Sequence, residues 1–290
     1  MTVRNVILIT GASSGFGRLM AETCARKGNI VFASMRHVKG RNSAVREELL
    51  ALAKTERLSL NVVEIDVTDE ASVNSAVEEV VRREGRIDVL VNNAGLTYIG
   101  LTEACTLEDV QREFDINFFG AVRMNRAVLP HMRRQGSGLL IYMSSVAGRV
   151  ASPFLGTYSA SKFALEALAE SYHYQLSELG IDSVIIEPGR YATSAPSHTL
   201  RPSDHTRAAG YGEVGERFEK AMADFMAFFS SPDVPDPKEV IDTVVELIAM
   251  PRGQRPLRVP VGTGGVLDPI NQVTAQVQAS LRKRHGRAGS

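Results

Sequence analysis

The chain of 290 residues has no tryptophan, only two cysteines and no net charge, Lys+Arg and Asp+Glu both standing at 33. Each shortage excludes something. Balanced charge removes the bulk attraction that nucleic acid, a membrane surface or an acidic partner would use, so neither nucleic acid nor membrane is expected as a partner. The one charge run, Arg282-Lys283-Arg284-His285-Gly286-Arg287, reads as a solvated, frayed terminus. Cys24 and Cys105 lack metal-ligand spacing, so no metal is expected. Both are expected to be reduced, which suits a cytoplasmic protein. No apolar stretch approaches the roughly 18 residues of a membrane span, and no signal peptide precedes the first strand. Repeats and low-complexity segments are missing too. The length suits one well-buried α/β domain and would cramp a second.

What is present is alternation. Asn5-Val6-Ile7-Leu8-Ile9-Thr10 is a short apolar, β-branched run, the pattern of a buried parallel strand. It enters the glycine cluster Gly11-Ala12-Ser13-Ser14-Gly15-Phe16-Gly17, and a helical pattern follows to about Lys27. Strand, glycine turn and helix in that order make a dinucleotide phosphate site, because the backbone can approach a pyrophosphate at the positive end of the helix. Strands at 29–34, 59–65, 87–91, 138–143 and 183–187 then alternate with helices near 44–55, from 69, over 107–134 and on to about 179. This predicts an α/β fold, a single-domain doubly wound (Rossmann-type) parallel sheet, over residues 1–271, with ligands outside the carboxyl ends of the strands. Residues 272–290 are expected to be a tail.

Tyr158 and Lys162 stand four residues apart on the last of those helices, a spacing that puts both on one face. A phenol with a pKa of about 10 is a poor acid-base group at neutral pH. A nearby ammonium favours the phenolate, which brings proton exchange into a useful range. Ser145, thirteen residues before Tyr158, supplies a hydroxyl to hold a carbonyl oxygen.

Together these motifs resemble the short-chain dehydrogenase/reductase family. Its glycine motif is matched by Thr10, Gly11, Gly15 and Gly17, and Asn92-Asn93-Ala94-Gly95, Asn117, Ser145, Tyr158, Lys162, Pro188-Gly189 and Thr193 follow in order over about residues 5–195. The resemblance implies that Ser145 binds the substrate oxygen, Tyr158 exchanges its proton, and Lys162 tunes Tyr158 and holds the nicotinamide ribose. Asn117 would hold a water that links Lys162 to solvent. It further implies a cofactor site of Gly11, Ser13, Ser14, Gly15, Phe16, Gly17, Arg36, Asp66, Val67, Asn93, Ala94, Gly95, Pro188, Gly189 and Thr193, with Asp66 toward the adenine and Asn93 to Gly95 along the adenosine ribose. The family's spacing selects Ser145 over Ser144, which is read as a structural hydrogen-bonder. Phe16, Arg190 and Tyr191 depart from the smaller or more apolar residues usual at their positions. Arg190 and Tyr191 either shape the substrate entrance or sit on the surface.

Residues 194–237 break the alternation. Pro196, Pro202, Gly210 and Gly212 mark a loop, in which His198 and His205 read as plain surface residues. Phe218, Met222, Phe225, Met226 and Phe229 then recur at helical spacing. That helix is either ordinary core or a substrate lid. Pro237 after Asp236 opens another helix, and Pro260 implies that the last strand, Leu257–Val261, lies at a sheet edge.

The cofactor expected is NADP(H) in preference to NAD(H). The second strand ends at Met35 with no acid to accept a ribose 2′-hydroxyl, and Arg36 follows, with Lys39 and Arg41 beyond. The function expected is interconversion of a secondary alcohol and a ketone or aldehyde on a fairly apolar small molecule. The resemblance implies a homodimer or homotetramer paired through the long Tyr158 helix ending near Leu179. An NAD(H)-linked enzyme of the same fold and a catalytically silent nucleotide sensor are the alternatives. The motifs resemble the branch containing 17β-hydroxysteroid and retinol dehydrogenases.

Overall fold

The computed structural model describes residues 4–191, 193, 199–229, 231 and 234–286. Strand β1 (Val6–Ile9), helix α1 (Gly15–Arg26), β2 (Ile30–Met35), α2 (Ser43–Glu56), β3 (Leu60–Glu64), α3 (Glu70–Glu84) and β4 (Val89–Asn92) form the first half of the alternation. The short strand β5 (Thr97–Tyr98) follows, then α4 (Leu107–Phe114), a π turn over Asp115–Phe119, and α5 (Gly120–Gln135). Next come β6 (Gly138–Met143), α6 (Gly156–Leu176) with a 3-10 turn to Leu179, and β7 (Ile181–Pro188). The chain closes with β8 (Thr199–Leu200), α7 (His205–Ala209), α8 (Gly212–Phe229), α9 (Lys238–Ala249), β9 (Arg258–Val261) and α10 (Asp268–Gly286).

Seven strands make one parallel sheet in the order β3-β2-β1-β4-β6-β7-β9. Alternate residues along each strand feed two separate cores. Ile7, Ile9, Val31, Ala33, Val89, Val91 and Ile141 face α1, α2 and α9, whereas Val6, Leu8, Phe32, Leu90, Leu140 and Tyr142 face α3, α5 and α6. Full burial of each such aliphatic is worth about 1.5–3 kcal/mol, so the two-residue period of the strands fixes the sheet between its helix layers. The chain crosses from one half of the sheet to the other between β3 and β4. That crossing leaves a crevice at the carboxyl ends of β1 and β4, where a doubly wound sheet holds its ligand.

Three differences from the sequence reading have physical causes. The helix expected over 107–134 is interrupted by the π turn, which carries Asn117. The segment after 194 is not simply loop, because β8 pairs with β5 through Thr97–Thr199 and Tyr98–Leu200. The expected tail is largely α10, held by Asn271 donating to Glu187 Oε2 (2.6 Å) and by Arg149 donating to Asn271 (3.0 Å) and Thr274 (2.7 Å). These are contacts between distant residues, which local composition does not report. Pro196, His198 and Arg287 lie outside the described residues. β9 is an edge strand, as Pro260 implied, and Asp236 accepts from Lys238 N–H at the start of α9 (2.8 Å).

Candidate active site

The glycine turn joins β1 to α1 under close steric limits. Gly11 and Gly15 have φ of +67° and +52°, where a side chain is strained. A Cβ on Gly17 would strike the Gly11 carbonyl and lie 2.5 Å from Asn93 Nδ2. The turn is tied to β4: Thr10 Oγ1 accepts from the N–H groups of Asn93 (2.9 Å) and Ala94 (3.0 Å), and Asn93 Nδ2 donates to the carbonyls of Thr10 (2.8 Å) and Gly11 (3.2 Å). Asn93 therefore spends its amide on shaping the turn. Among the described residues no side chain caps the amino end of α1 and no acid lies in its first turn, so its positive dipole is available to an anion. These are the properties a pyrophosphate needs, and the residues fit a dinucleotide.

At one end of this cavity lie Met35, Arg36, Arg41, Asn42, Ile65, Asp66 and Val67. Asn42 fixes the Arg36 carbonyl (2.6 Å). Burial, together with the charges of Arg41 and Arg112, pushes the Arg36 guanidinium below its usual value, against the opposing pull of Asp66. Arg36 and Arg41 thus share this end of the cavity. Asp66 Oδ1 accepts from Thr68 N–H (3.0 Å) and Oγ1 (2.7 Å). Burial opposes ionisation of Asp66, but the Thr68 bonds and the Arg36 and His37 charges hold it below its ordinary range.

The hydroxyl cluster lies further along the same cavity of about 980 Å³, where Ser145, Tyr158 and Lys162 share its wall with Pro188, Gly189 and Thr193. Ser145 leaves the end of β6 in extended backbone and accepts from Ala147 N–H (3.1 Å), which holds its hydroxyl in place. Ser144 turns the other way, its Oγ packed where Gly148 has no side chain and beside Glu166. Lys162 is buried; its Nζ donates to the Met143 carbonyl (2.8 Å) and lies 5.7 Å from the Tyr158 ring centre.

Burial pushes the Tyr158 phenol up to about 12, outweighing the hydroxyls of Ser145 and Thr97, which lower it. Lys162 was expected to depress this pKa. In the protein itself burial prevails, and the phenol is a proton donor over the neutral range. Burial likewise brings Lys162 down to about 8, against the charges of Glu113 and Glu166, which raise it.

Asn117 sits in the π turn and is buried. Its Nδ2 donates to the Leu96 carbonyl (2.8 Å) and Ser161 Oγ (2.9 Å), and its Oδ1 accepts from Leu96 N–H (2.7 Å). Ser161 Oγ donates in turn to the Tyr158 carbonyl (2.8 Å). The side chain thus ties the segment after β4 to the catalytic face of α6. Both hydrogens of its amide are thus engaged.

The remaining departures from the family pattern acquire places. Phe16 packs edge-on against Tyr191 with ring centres 5.9 Å apart. Tyr191 is buried, lines the cavity and donates to Glu239 (2.7 Å), so it is not a surface residue. Arg190 is exposed and lines the cavity. On α8, Phe218 and Met222 are buried in a small cluster with Ile99, joined by Phe154, Leu155 and Phe225, apart from both sheet cores. This helix therefore packs as a wall of the cavity. Sequence reasoning missed Thr97 and Glu113, which act on Tyr158 and Lys162 from elements without a motif. Among the described residues no group of three or more potential ligands could hold a metal, and no helix is long and apolar enough to cross a membrane.

A family model described as short chain dehydrogenase matches residues 5–202. The chain is 38% identical over 188 residues to a 3-ketodihydrosphingosine reductase of Bacteroides thetaiotaomicron, a match covering 65% of this chain and 64% of that one. It is 36% identical over 252 residues to human 17-beta-hydroxysteroid dehydrogenase type 1, covering 86% and 75%. Its fold is similar to that of a short-chain dehydrogenase from Streptomyces avermitilis, with a TM-score of 0.76, 28% identity and the full length of both chains covered. With the glycine turn and the hydroxyl cluster in one cavity, these likenesses agree: the chain belongs to the short-chain dehydrogenase family, as an NAD(P)-dependent oxidoreductase of alcohol and carbonyl groups.

Proposed function

We propose that the protein interconverts a secondary alcohol and a ketone or aldehyde on a fairly apolar small molecule, with NADP(H) preferred to NAD(H). The observation that carries this reading is one cavity joining the glycine turn to Ser145, Tyr158 and Lys162. Gly11, Ser13, Ser14, Gly15, Phe16 and Gly17 would hold the pyrophosphate, and Asp66, Val67, Asn93, Ala94 and Gly95 the adenosine side. Pro188, Gly189, Thr193 and Lys162 would hold the nicotinamide side. When bound, the nicotinamide supplies or accepts the hydride.

Ser145 donates a hydrogen bond to the substrate oxygen, and Tyr158, protonated at neutral pH, gives up its proton as charge develops there. Lys162 adds positive charge beside the phenolate left behind. Asn117 positions α6 through Ser161. Oxidation uses the same groups in reverse. The preference for NADP(H) is supported by the arginines around Arg36 and by Met35 where a carboxylate would otherwise stand. The apolar substrate is supported by Ile99, Phe154, Leu155, Phe218 and Met222.

A homodimer or homotetramer is proposed, with α6 at the interface. Phe163, Tyr174 and Leu179 are exposed at 44%, 38% and 46% along that helix and its end, more apolar surface than a solvent-facing helix needs. A cytoplasmic setting is proposed on the two free thiols, Cys24 and Cys105. The test is a steady-state turnover screen of aromatic, aliphatic and polycyclic ketones, and their alcohols, with NADPH and NADH. Turnover with NADPH is expected. Cofactor binding without turnover of any carbonyl or alcohol would favour a nucleotide sensor instead.

A further inference from the structure

Beyond the hydroxyl cluster the cavity wall is apolar, built from Ile99, Phe154, Leu155, Phe218, Met222 and Phe225. One cation interrupts that half. Arg190 follows Gly189 at the end of β7, where the backbone is fixed: Gly189 N–H donates to Val261 O (2.8 Å), and a side chain at 189 would strike the Gly262 carbonyl. Its guanidinium carbon lies 5.7 Å from the ring centre of Phe225 and 6.0 Å from that of Phe228, both on α8. Two aromatic rings so placed hold a guanidinium by its face and leave its N–H edges available.

The surrounding charges make this arginine unusual. Arg201 also stacks on an α8 ring, Phe218 at 5.4 Å, but it is neutralised by Glu219 at 2.7 Å. Among the described residues no hydrogen bond or ion pair engages the Arg190 guanidinium. Asp224 lines the same cavity, is exposed, and forms no ion pair with Arg190. The other cations of the cavity have work elsewhere: Lys162 donates to Met143 O (2.8 Å), and Arg36 and Arg41 lie at the adenosine end. A stacked, uncompensated cation beside an apolar chamber selects for a ligand that is apolar along its body and anionic at one end.

We infer that Arg190 binds an anionic group, a carboxylate in the simplest case, on the substrate of the reaction proposed above, on which this inference rests. The substrate class is thus an oxo or hydroxy acid whose carbonyl or alcohol is separated from the acid by an apolar segment. Amine-bearing carbonyl compounds of the same shape are disfavoured by the same charge.

The experiment uses aliphatic and aryl-aliphatic keto acids with short, medium and long spacers, each paired with its methyl ester. The wild-type enzyme should favour the acid in kcat/KM by about tenfold or more at its best spacer, the scale of one charge-assisted hydrogen bond. That ratio should shrink as ionic strength rises. In Arg190→Met it should fall to near unity, and Arg190→Lys should keep part of it. Ester turnover with an acid-to-ester ratio of one in the wild type, at every spacer, overturns the inference and leaves the oxidoreductase reading intact. A ratio that persists in Arg190→Met overturns it too. If neither acid nor ester turns over while cofactor binds, the inference falls together with the reading beneath it.

Discussion

Lys162 lies beneath Tyr158 with its Nζ 5.7 Å from the ring centre, and burial drives the two groups apart on the pH scale: the amine falls to about 8 while the phenol rises to about 12. The amine therefore titrates within the working range. Above about pH 8 the ammonium is lost, and with it the positive charge available to a bound ribose and to a phenolate. Cofactor affinity, followed by fluorescence titration without substrate, is expected to weaken as pH rises through 8. The Lys162→Ala variant should bind more weakly and lose that pH-dependent limb. A wild-type affinity that is flat from pH 7 to about 9.5 would remove Lys162 from the cofactor site.

The same shift has a consequence for stability. The folded-state pKa of Lys162 lies below its ordinary 10.5, so between about pH 8 and that value the unfolded chain binds more protons. This group's contribution then rises with pH across the window, and below about pH 8 the cost of the buried charge is fully present. Lys162→Met should accordingly gain stability relative to wild type at pH 7 and lose that advantage near pH 10, as chemical denaturation at the two values would measure.

Tyr158→Phe removes the proton donor and keeps the ring. Turnover should fall by at least about a hundredfold, the scale of a lost general acid, with cofactor affinity nearly intact. Near-normal turnover in this variant would mean that the proton comes from another group.

How much of this site was legible in the sequence depended on whether a residue's task is local. The glycine turn, Tyr158 and Lys162 announce themselves because strand, turn and helix dictate their geometry over a few residues. Asp66, Thr193 and the Pro188-Gly189 turn were found by resemblance, and all of them line the cavity. The docking of α10 was not legible, because Asn271 meets Glu187 across 84 residues and Thr274 meets Arg149 across 125. The basic run after Leu281 looked like a tail when read alone. The direction of the Tyr158 shift was misjudged for a related reason. A neighbouring ammonium can be read from a four-residue spacing, whereas the desolvation that raises the phenol depends on every element around the ring.

Helix α8 separates two readings of the same apolar stripe. Phe225 is partly buried against the cavity cluster and not against either sheet core. Phe225→Ala should alter KM across an apolar ketone series by more than it alters cofactor affinity, with the unfolding midpoint little changed. A loss of about 3–5 kcal/mol in stability, as for an aromatic removed from a true core, would make the helix a structural element alone.

The assembly is testable through the exposed residues of α6. Phe163→Glu places a charge on a face proposed to be covered, and a large fraction of the protein should then sediment as monomer. Sedimentation of the wild type as a monomer at working concentration would refute the proposed interface at once.

The cofactor choice proposed for the enzyme turns on the end of β2. Met35 stands where a carboxylate would accept bonds from a ribose 2′-hydroxyl, and the next residue, Arg36, is pushed below its usual pKa by burial and by the charge of Arg41. A 2′-phosphate bound there would offset the charge of Arg41 and favour the guanidinium. Arg36 carries a rigid fork of donors matched to phosphate oxygens, so its contribution should be selective. Arg36→Ala is expected to weaken NADPH by about 1.5–3 kcal/mol, the scale of a hydrogen bond to a charged group, and NADH far less. Arg36→Ala with Arg41→Ala should nearly abolish the preference. Met35→Asp should reverse it, because the carboxylate repels the phosphate and accepts from the hydroxyl. Steady-state kinetics with both cofactors measure each change, and a wild-type kcat/KM equal or higher with NADH would reject the assignment.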